Sequence, residues 1–106
     1  MRKLLLFFGL LLSLSCHAGT TTISNGCVKY HATGKVYELP IRIVDGMDLF
    51  AKFRWADPTS KYAIIFWKQD EVTVIDLGPL GLYMDTGVDG KDLEGRRWMV
   101  AKTPWC

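Results

Sequence analysis

The chain has 106 residues, with 13 Lys and Arg against 11 Asp and Glu and a formal charge of +2. That length is enough for one small domain and no more. Arg2 and Lys3 belong to the N-terminal segment described next, and without them the basic and acidic residues are equal in number. A broad electrostatic affinity for nucleic acid therefore has no support.

Residues 1–18 contain the parts of a secretory signal peptide in the usual order. The basic pair Arg2-Lys3 is followed by an apolar run, Leu4 to Leu14, and then by Cys16 and Ala18 where signal peptidase needs small residues. The apolar run is about half of the roughly twenty residues that a transmembrane helix needs. We therefore predict cleavage after Ala18, no transmembrane helix in the mature chain, and export to the periplasm or the medium.

Cys16 offers an alternative processing route, because a bacterial lipoprotein would be acylated at this residue. A lipobox usually has Leu three positions before the acylated cysteine, and Ser13 occupies that position here. An outer-membrane lipoprotein is therefore the alternative to a free exported protein.

Two cysteines, Cys27 and Cys106, remain after cleavage. An even pair in an oxidising compartment indicates one disulfide. The sequence has no Cys-x-x-Cys, and His31 is the only histidine after residue 18, so a zinc site lacks ligands. The disulfide would close a loop of about eighty residues and hold the first and last strands close together.

The chain after the signal peptide is predicted to contain a flexible polar lead-in, residues 19–26, and a single β domain, residues 27–106. A hairpin is expected around Gly34, formed by Cys27–His31 and Lys35–Leu39. Pro40 is expected to end its second strand.

Further short strands are indicated by alternating or continuous apolar residues between turn residues. They are expected at Ile41–Val44, Leu49–Trp55, Tyr62–Trp67, Glu71–Leu77, Leu82–Thr86 and Arg96–Ala101. The pattern predicts an all-β fold, a small antiparallel barrel or two-layer sandwich of about six to eight short strands. The expected proximity of the first and last strands favours the barrel.

The stretch Gly87–Gly95 is expected to be an acidic, glycine-rich loop. Aligned with a calcium-binding EF-hand loop from Asp85, it has acids at the first and fifth places and glycine at the sixth. The third place is Gly87 and the twelfth is Arg96, so two required ligands are missing. We expect a solvated turn, no metal site and no cofactor.

Catalysis has little support, because a nucleophile needs a nearby base and His31 is the only histidine in the mature chain. No catalytic residues are assigned, and the protein is not expected to be an enzyme.

Large aromatic residues are numerous for so small a domain, and Tyr62–Trp67 is apolar on both faces of a strand. One face should be covered by another part of the chain or by a partner. Ile65 and Trp67 are the predicted partner-binding residues.

The leading hypothesis is a non-enzymatic binding protein, such as an inhibitor or immunity factor acting on another envelope protein. A module that binds carbohydrate or peptidoglycan through exposed tryptophans is one alternative, and an accessory lipoprotein of the envelope, lipidated at Cys16, is the other.

Overall fold

The computed structural model describes residues 20–106, so the predicted signal peptide at 1–18 lies outside the described residues. The described chain forms six antiparallel strands that close into a barrel in sequence order, with the last strand paired to the first. The prediction of a small all-β fold is confirmed, in its barrel form. The elements are β1 (Thr20–Tyr30), β2 (Lys35–Asp45), α1 (Gly46–Phe50), β3 (Lys61–Lys68), β4 (Glu71–Gly78), β5 (Val88–Asp92) and β6 (Arg97–Lys102).

The core is the interior of the barrel. Successive strand residues point to opposite faces, so alternate side chains of each strand point inward. An eight-stranded barrel is just wide enough to be filled by its own side chains. The narrower six-stranded barrel is accordingly packed solid at its middle by fully buried side chains from five strands, Val28, Ile41, Ile65, Ile75 and Val100.

The first hairpin forms as predicted, with Tyr30 opposite Lys35 and Gly34 at a φ of 74°. The flexible lead-in expected at 19–26 is wrong from residue 20 onward, because Thr20–Ile23 pair with the C-terminal part of β2. This segment is polar because it extends the hairpin with mostly exposed side chains. Its threonines are β-branched and favour extended backbone.

Pro40 lies within β2 and does not end the strand as expected. The ladder with β1 shifts its register opposite Pro40, and the ladder with β3 begins only at Arg42. Proline has no N–H, so it is tolerated where neither neighbouring strand pairs with it. The N-terminal half of β2 consequently pairs with β1 alone, and the barrel wall parts between β2 and β3.

Residues 46–60, the connector between β2 and β3, form α1 and a series of turns. The strand expected at Leu49–Trp55 is wrong. β3 occupies the strand edge that this segment would need, since Lys61 pairs with Asp45 at the end of β2. The connector is fixed at its base, where the N–H of Gly46 donates to the carbonyl of Ser60 at 2.7 Å.

β5 (Val88–Asp92) lies within the stretch that was expected to be a loop, whereas the strand expected at Leu82–Thr86 is irregular. Val88 points into the core. Gly90 lets β5 approach β4 closely, since a Cβ there would be 2.7 Å from Cγ2 of Ile75. Glycine in a strand often marks such a close approach. The acidic, glycine-rich composition of this stretch is also typical of a loop, so the sequence did not reveal the strand.

Cys27 and Cys106 form the predicted disulfide, with their Cα atoms 6.1 Å apart and a sequence separation of 79. Cys27 lies on β1 where this strand pairs with β6. The bond therefore fastens the end of the chain to the seam at which the barrel closes, and such bonds persist in oxidising compartments.

Candidate ligand site at the barrel mouth

Three tight turns, those joining β1 to β2, β3 to β4 and β5 to β6, lie at one end of the barrel, which we call the mouth. The wall is open here. β3 pairs with β2 only over Lys61–Ile64, and β4 pairs with β5 only at Ile75 and Asp76. Residues 65–74, the tip of the β3–β4 hairpin, therefore have strand partners only within the hairpin.

A cavity of about 570 Å³ opens at the mouth. Ligand sites in proteins commonly have volumes of roughly 300–1,000 Å³, with mainly apolar walls and a few polar groups. Lys68, Glu71 and Arg96 lie at the rim of this cavity. Its lining includes four aromatic side chains that we call the aromatic arc, Tyr30, Tyr37, Trp67 and Trp98.

The rings of the aromatic arc contact one another in a continuous series. Tyr37 meets Trp67 edge to face with centroids 5.0 Å apart, Trp67 lies 6.1 Å from Trp98, and Trp98 lies 4.8 Å from Tyr30. Aromatic pairs at these separations stabilise each other beyond the area they bury. Trp98 is buried at the base of the arc, and the other three rings are half-buried.

Both indole N–H groups of the arc are hydrogen-bonded within the protein. Nε1 of Trp67 donates to Oγ1 of Thr73 at 2.7 Å, and Nε1 of Trp98 donates to Oδ2 of Asp92 at 3.0 Å. These bonds fix the orientation of the two rings. The cavity wall is thus organised before any ligand arrives, which lowers the entropic cost of binding.

The side chain of Asp92 is only 2% exposed and accepts four hydrogen bonds. Oδ1 accepts from the backbone N–H groups of Glu94 and Arg96, and Oδ2 accepts from Trp98 Nε1 and Arg96 Nε. Burial alone would raise the pKa of Asp92, but the bonds from Trp98, Arg96 and Glu94 outweigh it and lower the pKa. Asp92 therefore remains ionised and acts as the fixed support of Trp98.

The charged residues at the rim differ in their freedom to meet a ligand. Arg96 is held by Asp92 at 2.7 Å and by Glu94 at 2.6 Å, and the hydrogen bond that Arg96 donates to Asp92 raises the pKa of Arg96. Lys68 and Glu71 are 3.7 Å apart and both well exposed. Exposed pairs of this kind contribute little to stability, so these two side chains can reorient toward a bound molecule.

Of the two predicted partner-binding residues, only Trp67 lies at the mouth. Ile65 is 0% exposed and belongs to the core, so the expectation that it contacts a partner is corrected. The other apolar face of β3 points outward. There Tyr62 is covered by the connector, while Phe66 remains 54% exposed.

The other residues of the aromatic arc, Tyr30, Tyr37 and Trp98, were not identified from the sequence as site residues. Each lies within three residues of a turn and faces inward. A large aromatic residue on the inward face and close to a turn lies near a barrel end, and several such residues would have indicated the site.

The acidic residues of the stretch compared with a calcium loop have other partners. Asp85 pairs with Lys102 at 3.3 Å, and Asp89 pairs with His31 at 3.0 Å. Asp92 is used by Trp98 and its own turn. Within residues 20–106, His, Cys, Asp and Glu side chains form no group of three suited to a metal ion.

Comparisons with protein families, with curated proteins and with solved structures gave no match. In the described part of the chain, no helix has the length and apolar character needed to cross a membrane.

Proposed function

We propose that this chain is a small exported, non-enzymatic binding protein whose ligand enters the mouth of the barrel. The observation that carries this proposal is the preorganised aromatic arc, which lines an open cavity with rings fixed by internal hydrogen bonds. The disulfide supports a place outside the cytoplasm. Together with the predicted signal peptide, it favours the periplasm or the medium.

The ligand that the geometry supports best is a segment of another protein of the envelope, as expected for an inhibitor or immunity factor. The tip of the β3–β4 hairpin has strand edges that pair with neither β2 nor β5. Such edges can take up an extended segment of a partner. Trp67 then resembles the aromatic anchors that dominate binding energies.

A second candidate ligand is a saccharide such as a peptidoglycan strand. The specific observation in its favour is the combination of half-buried rings with two mobile charged side chains, Lys68 and Glu71, at the rim. Rings offer an apolar surface to a sugar, and charged side chains can hydrogen-bond its hydroxyl groups.

The experiment compares Trp67→Ala with Phe66→Ala, because these neighbours on β3 face the mouth and the outside respectively. Each variant is tested by pull-down from periplasmic extract and by co-sedimentation with insoluble peptidoglycan. We expect Trp67→Ala to weaken binding about thirtyfold, as for a hot-spot residue, and Phe66→Ala to leave it unchanged.

The material that is bound decides between the two ligand classes. Lys68→Glu, an exposed substitution that leaves the core intact, is included in case Trp67→Ala fails to fold; it should also weaken binding. If Phe66→Ala removes binding while Trp67→Ala and Lys68→Glu retain it, the mouth is not the site.

A further inference from the structure

The end of the barrel opposite the mouth is formed by two neighbouring segments, the connector at residues 46–60 and residues 79–87 between β4 and β5. Lys61 lies between them. Its Nζ is 2.9 Å from Oδ1 of Asp45, at the start of the connector, and a Cβ on Gly81 would lie 3.0 Å from its Cδ. We call this surface the connector end. Six of the eleven exposed large apolar side chains among the described residues belong to it: Met47, Phe53, Trp55, Leu80, Tyr83 and Met84.

The apolar surface of the connector end is of the size that an interface between proteins needs. A large aromatic side chain buries roughly 150–250 Å², and the six side chains are between 44% and 68% exposed. Side chains of this size that are half exposed present on the order of 600 Å² together. A stable interface buries about 800 Å² on each partner, so these side chains with the polar groups around them suffice for one.

The aromatic residues of the connector stand on a fixed base. The N–H of Asp57 donates to the hydroxyl of buried Tyr62 at 2.7 Å, and Trp55 packs edge to face on the same ring at 5.9 Å. Phe53 stacks on Trp55 with centroids 5.6 Å apart. Phe53 and Trp55 nevertheless remain 46% and 47% exposed. Their exposed faces are therefore presented outward by a structure that already holds them in place.

The charged residues of the connector are balanced in sign and unpaired. Lys52 and Arg54 are exposed, as are Asp48 and Asp57, and none of the four forms an ion pair within residues 20–106. A surface with as many acids as bases does not attract a strongly charged partner. It does complement a second copy of itself, because every acid–base contact across a twofold axis occurs twice.

No net charge opposes association of two copies. The third acidic residue of the two segments, Asp85, is paired with Lys102 at 3.3 Å. After residue 18 the chain has equal numbers of basic and acidic residues. Net charge far from zero keeps proteins apart, whereas a value near zero favours association. A second copy is therefore the partner whose charge and apolar surface both match the connector end.

We propose that the connector end is the interface of a symmetric homodimer, in which the rings of Phe53 and Trp55 from two copies pack together. Lys52 and Arg54 of each copy face the acidic residues of the other. Trp55, already held on Tyr62, is the aromatic anchor of the kind that dominates binding energy. The mouths lie at the far ends of the dimer, where two ligand segments can bind at once and gain avidity.

The test measures the mass of the purified wild type by sedimentation equilibrium at roughly 1 to 100 µM. Leu80→Asp is the test variant and Leu93→Asp the matched control. Both are leucines in turns, exposed by 68% and 57%, but Leu93 lies between β5 and β6 at the mouth. Circular dichroism checks that each variant is folded. Phe53→Asp is a second test variant in case Leu80→Asp fails to fold.

We expect the wild type and Leu93→Asp to have twice the mass of the monomer. Leu80→Asp and Phe53→Asp should each raise the dissociation constant of the dimer about thirtyfold or more, because a carboxylate would replace an apolar contact in the interface. Lys52→Glu with Arg54→Glu should also weaken the dimer, since acids would then face acids.

A wild type that is monomeric at every concentration would overturn the proposal. So would a dimer that the connector variants leave intact, or one that Leu93→Asp weakens as much as Leu80→Asp does. The dimer is independent of the ligand site, so Trp67→Ala should leave the mass unchanged. Loss of ligand binding in Trp67→Ala and loss of the dimer in Leu80→Asp are thus separate results.

Discussion

Asp92 shows how one buried carboxylate can organise the mouth. Its four hydrogen bonds join Trp98, the turn after β5 and the Arg96 side chain. An ionised group with so many donors is favoured over its protonated form despite burial, and this lowers the pKa of Asp92. The same interactions make the free energy of unfolding depend on pH.

Asp92→Asn should lower the free energy of unfolding by about 2–3 kcal/mol at neutral pH, because an amide NH₂ would face donors at Trp98 and Arg96. Asp89→Asn is the matched control. Asp89 lies on the same strand and pairs with His31 at the surface, so its loss should cost about 0.5 kcal/mol or less. Urea unfolding followed by tryptophan fluorescence measures both values.

The pH dependence of the same variant follows from the sign of the shift. Because folding lowers the pKa of Asp92, its contribution is fully present above its unfolded pKa, about 4, and is lost as pH falls through the folded value. The difference between wild type and Asp92→Asn should thus be constant above about pH 5 and shrink below about pH 4. A difference that stays constant down to about pH 2 would contradict this account.

Among the elements, the hairpins followed from the sequence more readily than the connections. The β1–β2 hairpin has alternating residues around Gly34, and both signals are local. The connector has an equally regular alternation at Leu49–Trp55 but forms α1 and turns, because its outcome depends on β3 occupying the edge of β2. Strand formation depends on a partner that may lie far away in sequence, and no local pattern reports whether that partner is free.

β5 provides a test of close strand packing at the element scale. Gly90→Ala should lower the free energy of unfolding by about 1–3 kcal/mol, because the new Cβ would collide with the backbone carbonyl of Asp76 and with Ile75. Lys91→Ala, one residue further along the same strand and exposed, should change stability by no more than about 0.5 kcal/mol. Thermal unfolding by circular dichroism compares the two, and equal melting temperatures would show that β4 and β5 can separate without cost.

For the whole molecule, the sequence predicted the class of fold from its short alternating strands. It also predicted the disulfide and the closeness of the first and last strands, because the two cysteines after residue 18 allow only one pairing. The site was only partly predicted. Trp67 was chosen from the excess of apolar residues on its strand, but the aromatic arc gathers rings from β1, β2, β3 and β6. That assembly depends on strand order and register, which no single segment contains.

The disulfide is expected to supply much of the stability of so small a domain. Replacing Cys27 and Cys106 by Ser should lower the free energy of unfolding by about 4 kcal/mol. The disulfide joins residues with a sequence separation of 79, and this long closed loop restricts the unfolded chain. Chemical denaturation of the wild type and the double variant measures the difference. Thiol labelling of the unfolded, unreduced wild type is the control, and two reactive thiols would contradict the disulfide.

The pairing of β6 with β1 also has a consequence for the time course of folding. We propose that the chain is exported from its N-terminus, in which case β1 to β4 would emerge before β6 and one edge of β1 would stay unpaired until β6 arrives. Contacts between residues distant in sequence form slowly, and bare edges invite pairing between chains. We therefore expect docking of β6 to be the slow step of folding, during which crowding of partly folded chains favours aggregation over closure of the barrel.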